Sequence, residues 1–429
     1  MAIGDRESLR VSRAVRDQMA WDRICLDDLI SADHRAREVW LYVEGCELTA
    51  LYDQIRAVPG GAGRAPIDPA ILMALWLYAT LEGVGSARLL SRLCETDGAY
   101  RWMCGGVGVN HHTLSDFRTA CGVVLDDLLT RSMAALASSG IVSLDCLAVD
   151  GVRVRASAGT GSFRRATRLV GLHDLAAKKV AELKADLDAD PSAGTRRAAE
   201  RKLREGQARQ ARIEAARQAA KEIEAERQQE AKDQRRKTPK KTKEPRASTT
   251  DAQARVMRMA DGGFRPAYNL QFKTDPQSGC VIGLDVTDRA SDRGLLTPAV
   301  EEIERRYGVK PGRVLADSGY DAKDDIETLH GKKIDAFVPV PGSEGQCVPA
   351  NPQKGEGPGV FAWRERMSQP ENFAIYRKRF ECERPHADAR NRGLQRFLVR
   401  GFAKVKAAAL WHVIAYNFLQ MRRLSPQVA

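Results

Sequence analysis

Asp150, Asp317 and Glu383 are three carboxylates, far apart in the chain, that local sequence sets up for chemistry. Asp150 closes the apolar run CLAVD and precedes Gly151; Asp317 closes RVLAD and precedes Ser318-Gly319. Both positions are expected at the ends of strands, where open α/β sheets place their active sites. Glu383 lies in a later, basic and helical stretch, YRKRFECERPHADARNRG. Three carboxylates converging from two strand ends and one helix would form an oxygen-rich, negative pocket suited to Mg²⁺ or Mn²⁺. Two such ions, roughly 3.5–4 Å apart, can activate a nucleophile and stabilise a leaving oxygen in phosphodiester chemistry.

The Glu383 stretch carries a second signal. Tyr376, Arg379, Glu383 and Arg390 stand at offsets of 0, 3, 7 and 14, which share one face of an ideal helix. Such a face would bring one carboxylate to a metal and basic groups to phosphates. Each residue also has a plainer reading. Asp150 and Asp317 could be turn aspartates. Asp145 competes with Asp150 but is expected mid-strand, and Glu381 competes with Glu383 but falls off the shared face. Pro385 disfavours helical geometry at Arg384, so it either kinks the helix or opens the first turn of a new one. A lone histidine, His386, is read as structural or solvent-exposed.

The elements that must position these groups follow from pattern. A helical pattern surrounds DDLISADHRAREVWLYV with Ser31 as its N-cap, and Gly60, Gly61 and Gly63 mark a loop. Two helices are expected from Asp68 to about Glu82 and from Ser86 to about Thr96, and a third near Thr113. With Arg88, Arg92, Arg101 and Arg118 they suit a helical DNA-binding module, or a generic bundle. IVSLDCLAVDGVRVRA reads as a strand, a turn at Asp150-Gly151 and a second strand. Within residues 173–248, LHDLAAKKVAELKADLDAD reads as an amphipathic helix; after a break at Pro191-Ser192-Ala193-Gly194, a run rich in Ala, Glu, Arg, Lys and Gln and poor in large apolar residues reads as a long solvated helix or weak coiled coil. Its basic end, RRKTPKKTKEPR, reads as a flexible linker or a clamp on DNA backbone. FRPAYNLQFKTD, CVIGLDVTD, RVLAD and IDAFVPV are strands, and TPAVEEIERRY and AKDDIETLHGKK are helices. The order describes a mixed α/β sheet flanked by helices.

The chain has 429 residues, enough for two or three domains, and 43% are hydrophobic. Lys plus Arg number 68 against 56 for Asp plus Glu, giving +12, which favours a polyanionic partner such as nucleic acid. Nine cysteines form no CxxC pair, which argues against a zinc site or a disulfide framework and for a reducing compartment. No signal peptide or membrane span is read, so the expected location is cytoplasmic.

AVDGVRVRASAG, RVLADSGYDA and the Y-x2-R-x3-E-x6-R spacing resemble the three signature blocks of DDE-class insertion-sequence transposases. The match is to the bacterial group whose third block reads Y-x2-R-x3-E-x6-K. DGGFRPAYNLQF, VTDRASDRG, RGLQRFLVRG and the stretch from Pro66 to Arg118 resemble other ordered segments of that group. The resemblance implies an RNase H-like catalytic core with Asp150, Asp317 and Glu383 as metal-binding, catalytic residues. It makes Tyr376, Arg379 and Arg390 DNA-binding residues, with Arg390 in the place of the family's lysine. It implies two Mg²⁺ per active site, with Mn²⁺ as a substitute. The partners implied are double-stranded DNA, as terminal inverted repeats and target, and a homodimer formed on it. The expected organisation is a helical DNA-binding domain (1–135), the first part of the core (136–172), a charged helical insertion (173–248), the second part of the core (249–402) and a C-terminal helix (403–429). Competing readings are a DDE-type nuclease that does not join strands, a non-catalytic transposase-derived DNA-binding protein, and a coiled-coil structural protein.

Overall fold

The computed structural model describes residues 25–55, 65–189, 193–233, 244–342 and 351–424. The expected Gly60–Gly63 loop and most of the basic RRKTPKKTKEPR run lie outside them.

The first part is helical: α1 (Arg35–Glu44), α2 (Thr49–Tyr52), α3 (Pro69–Leu81), α4 (Ala87–Thr96), α5 (Gly98–Cys104), α6 (His111–Ala120) and α7 (Gly122–Ser138). Local chemistry sets the boundaries. Asp68 caps α3 by accepting from the Ala70 N–H at 2.8 Å, and Pro69 fills the first helical position. Ser86 caps α4 and Asn110 caps α6 in the same way. Helix α3 is apolar on every side, and nearly all of it is buried. The first helix is capped by His34, whose ring accepts from Ala36 N–H, and not by Ser31.

Strand β1 (Cys146–Arg155) follows, then the short β2 (Phe163–Arg165), α8 (Ala166–Ala189), α9 (Ala193–Asp233) and β3 (Arg246–Ser248). β2 and β3 pair antiparallel and close the base of a hairpin made by α8 and α9. The two helices expected on either side of the break near Pro191 are both present; the first begins upstream of residue 173, and the two pack against each other as a pair. Its own small cluster, Leu169, Ile213, Ala216, Ala219, Ala220 and Ala247, is separate from the main core. Gly206 lets the helices approach: a Cβ there would lie 3.2 Å from Leu183.

The chain returns through β4 (Arg255–Arg258), β5 (Phe264–Thr274), β6 (Val281–Thr287), α10 (Leu296–Tyr307), β7 (Arg313–Leu315), α11 (Lys323–Gly331) and β8 (Asp335–Phe337). It ends with α12 (Pro358–Met367), α13 (Pro370–Arg377), a 3₁₀ segment (Lys378–Cys382), α14 (Glu383–Asn391) and α15 (Phe402–Leu424). The sheet runs β4-β5-β1-β7-β8, with β6 beside β4 on the same edge of β5. β1 is antiparallel to β5 and parallel to β7, and β7 is parallel to β8. This is a mixed sheet flanked by helices, as the pattern implied. The main hydrophobic cluster is continuous from α1 through the sheet to α15, so the N-terminal helices share one core with the sheet. Helix α12 and strand β4 had no counterpart in the sequence reading.

Two local expectations fail. The chain does not turn at Asp150-Gly151: β1 is one strand and Asp150 is in its middle, opposite Phe272. Asp145, expected mid-strand, precedes it. Gly151 is there for space. A Cβ would collide with Asp292 Oδ1 and approach Gln271 Nε2 to 2.6 Å. Nor do Tyr376 to Arg390 form one helix, because the 3₁₀ segment changes the winding between α13 and α14. Pro385 opens the new helix, in the first turn of α14.

Candidate active site

β1 carries Asp150 across the centre of the sheet. The carboxylate accepts from its neighbour, Gly151 N–H, at 2.9 Å. Asp317 lies two residues beyond β7 and caps a one-turn 3₁₀ segment, accepting from Gly319 N–H at 2.8 Å. The turn reading and the strand-end reading are thus both true of Asp317. Glu383 is the first residue of α14 and is half exposed.

These three side chains share one electrostatic neighbourhood. The Asp150 carboxyl is pushed up to about 7, first by burial; Arg379 opposes the shift, while Asp317 and Glu383 add to it. Burial also raises Asp317, helped by the nearby Asp292. Arg379, from the 3₁₀ segment, is the counter-ion. Its guanidinium lies 3.5 Å from Asp150 Oδ2 and 3.0 Å from Glu383 Oε1. It is 6.0 Å from the centre of the Tyr376 ring. Tyr376 packs edge-on against Phe373. Arg390 is exposed on α14 and has no ion-pair partner among the described residues. The structure thus groups Asp150, Asp317, Glu383, Arg379 and Tyr376, and leaves Arg390 on the outside.

Three further neighbours complete the surroundings; the sequence reading set His386 aside as structural or solvent-exposed and did not single out Asp292 or Tyr320. His386 is buried, with Nδ1 3.5 Å from Asp150 Oδ2 and its ring 4.6 Å from Phe272. Burial and the charges of Arg390 and Arg379 hold it neutral, with its pKa near 3. A histidine three residues after the glutamate, on the next turn of α14, was the available signal. Asp292 lies on the other face of β1, where Asn269 and Gln271 donate to its Oδ1 at 2.6 and 2.8 Å. Arg153 approaches its Oδ2 at 3.4 Å. Tyr320 donates to Gln271 and ties the Asp317 turn to this network.

The family model of the transposase DDE domain matches residues 222–418, and that of a second transposase domain, DUF772, matches residues 24–120. Together the two matches support an insertion-sequence DDE transposase. No curated protein and no solved structure matches it. The DDE match begins inside α9, so it spans Asp317 and Glu383, while Asp150 lies upstream across the hairpin. The DUF772 match covers α1 to α6. In that transposase module Arg88 and Arg92 are exposed. Arg118 is not: it donates to Gly85 O at 2.5 Å and stacks over Trp76 at 4.9 Å. It holds the helices together.

DDE transposases imply a divalent metal. The donors at this site are carboxylate oxygens beside a neutral histidine, which suits a hard cation in chemistry. Among the described residues, no three His, Cys, Asp or Glu side chains are grouped closely enough to hold one ion as they stand. Arg379 occupies the space between Asp150 and Glu383. No helix among the described residues is long and apolar enough to cross a membrane.

Proposed function

We propose that this transposase is catalytic, with Asp150, Asp317 and Glu383 as the metal-binding carboxylates of an RNase H-like core. The observation that carries this reading is that all three share one electrostatic neighbourhood, with Asp150 and Asp317 shielded, Glu383 half exposed, and Arg379 pairing with both Asp150 and Glu383. The strand order supports it too: three antiparallel strands (β6, β5, β1) followed by two parallel ones (β7, β8) put Asp150 beside the Asp317 turn. The three carboxylates would hold two Mg²⁺, or Mn²⁺ in their place. When bound, the ions supply an activated oxygen nucleophile and charge stabilisation at the leaving oxygen.

The chain's own residues do the rest. Water cuts the strand at the transposon end and frees a 3′-hydroxyl, which then attacks target DNA by in-line displacement. Arg379 holds Asp150 and Glu383 apart from solvent ions until a DNA phosphate competes for its guanidinium. Release of Arg379 lets Glu383 turn toward the aspartates. Arg390 meets backbone phosphate from the exposed face of α14, and Tyr376 stacks on or hydrogen-bonds to the strand. The N-terminal helices bind the terminal inverted repeats, and two protomers pair on DNA to bring two ends together.

The arrangement of the side chains also favours a second reading: among the described residues no three ligands are grouped for one ion, as in a transposase-derived protein that binds DNA without cutting it. One experiment separates the two. A labelled duplex bearing the element's terminal repeat is incubated with Mg²⁺, with EDTA, and with Asp317→Asn or Glu383→Gln protein. Metal-dependent nicking at the repeat boundary, lost in both variants while binding persists, supports the catalytic reading. Nicking that persists in the variants means other carboxylates are catalytic. Tight repeat binding without nicking in any metal gives the second reading.

A further inference from the structure

The α8–α9 hairpin has no part in the site just described, and its charge is unevenly spread. Helix α8 is balanced, with four Arg or Lys and four Asp or Glu. Residues 193–217 of α9 carry eight Arg or Lys against three Glu, whereas residues 218–233 carry three against five. A helix that needs only solubility intersperses its signs. The half of α9 next to the hairpin's turn does not.

The cations are also ordered. Arg197, Arg201, Arg204 and Arg212 fall within an arc of about 80° on an α-helix and run along about 22 Å of it. All four are exposed. Gly206 and Leu203 lie on the other side of the helix, Gly206 against Val180 and Leu183 of α8. The arginines therefore line the face turned away from the partner helix. Ala208 and Ala215 fill the rest of that face, and no acid interrupts it. Among the described residues none of the four forms an ion pair; the nearby pairs Arg196–Glu200 and Arg217–Glu214 involve other positions.

We infer that this arginine stripe is a second DNA contact, gripping duplex backbone independently of sequence. The inference rests on the transposase reading for its choice of partner. Guanidinium groups in a row suit phosphate oxygens, and each phosphate neutralised releases counter-ions. A docking face for protein would need aromatic or large apolar anchors, and the stripe has none. The sign segregation within α9 is what a solvated spacer would lack.

The test uses the full chain and the quadruple variant Arg197→Gln/Arg201→Gln/Arg204→Gln/Arg212→Gln, with circular dichroism to check the helices. Affinity for a long duplex is titrated across roughly 50–200 mM salt, where phosphate contacts show as the slope of log affinity on log salt. Loss of four contacts should flatten that slope by about 3–4 and weaken binding at least about tenfold near 0.1 M salt. The loss should be equal for a terminal-repeat duplex and a scrambled one. An unchanged slope overturns the inference. So does a variant whose self-association falls in sedimentation while its affinity for DNA stays the same, since the stripe would then bind a second copy. Nicking of a short terminal-repeat duplex is scored in parallel. If it persists in the variant, the site reading stands whichever way the stripe falls; if the wild type never nicks, the salt slopes still decide the stripe.

Discussion

The sheet and the hairpin draw on the same charged residue types and put them to opposite uses. In the sheet, Lys273 is fully buried and pairs with Asp285 and with Glu302 at 2.8 Å; Glu302 in turn pairs with Arg306 at 2.5 Å. Asp150 and Asp317 are likewise shielded, and their neighbours shift their protonation. On the hairpin, charges stand in water over a core of one isoleucine, one leucine and four alanines. Burial makes a charge expensive to strand and sensitive to its neighbours; exposure makes it weak singly and useful only in number. Removing one sheet charge should therefore be costly, and removing one hairpin charge nearly silent.

The largest expected effect is on catalysis. Asp317→Asn or Glu383→Gln should reduce strand cleavage by at least about 10³-fold, the scale of losing an essential group in a charge-stabilised transition state. Duplex affinity should hold, and thermal stability should stay level or rise because like charges are relieved. A quench-flow or gel time course measures the first and calorimetry the second. Should cleavage fall no more than for Arg209→Gln on the hairpin, the contrast between the regions would have no functional meaning.

Next is the buried network. Lys273→Met leaves Asp285 and Glu302 without their cation and should cost about 3–5 kcal/mol in denaturant unfolding. Arg217→Met, which loses only a hairpin pair to Glu214, should stay within about 0.5 kcal/mol. Equal effects would mean that the Lys273 network is more hydrated than its burial implies.

A third, smaller effect tests whether the hairpin is its own unit. Ile213→Ala opens the small cluster and should cost about 2 kcal/mol there, near the low end for a core truncation. Hydrogen exchange should quicken along α8 and α9 and stay unchanged in β1 and β5. Faster exchange in the sheet would join the two cores.

The sheet was largely legible because its strands alternate with helices that carry their own caps and stops; Asp68, Ser86 and Gly308 each mark an observed boundary. What failed depended on partners distant in sequence. Gly151 looks like a turn residue, and only the approach of Asp292 from across the sheet shows why glycine stands in a continuous strand. Of the two readings open for His386, structural or solvent-exposed, only the ring of Phe272 packed against it decides for the first. The helical face drawn through Tyr376, Arg379, Glu383 and Arg390 assumed constant winding. The 3₁₀ segment changes the winding between Tyr376 and Glu383, whereas Glu383 and Arg390 stay two turns apart in one helix, where Arg390 is exposed. In the hairpin, the sequence marked two helices and the break between them but not that they pack against each other, because alanine-rich packing leaves little hydrophobic periodicity.

The smallest effect concerns the joint between the N-terminal helices and the sheet layer, where burial works on a histidine. His412 of α15 lines a cavity with Trp76, Arg118 and Arg392, and its Nδ1 is shut off from solvent without a hydrogen-bond partner. Burial, then the positive charges of Arg118 and Arg392, push its pKa down to about 3. The folded chain therefore holds this ring neutral where the unfolded chain, with an ordinary value near 6.5, takes up a proton. The unfolded state binds more protons, so the stabilisation is complete above about pH 6.5 and drains away as pH falls toward 3. Between roughly pH 7 and pH 5.5 the loss from this one group should be about 1 kcal/mol. His412→Leu should flatten that part of the stability–pH curve in denaturant titrations. An unaltered slope in the His412 variant would show that burial does not govern this ring in the way the carboxylates and Lys273 imply.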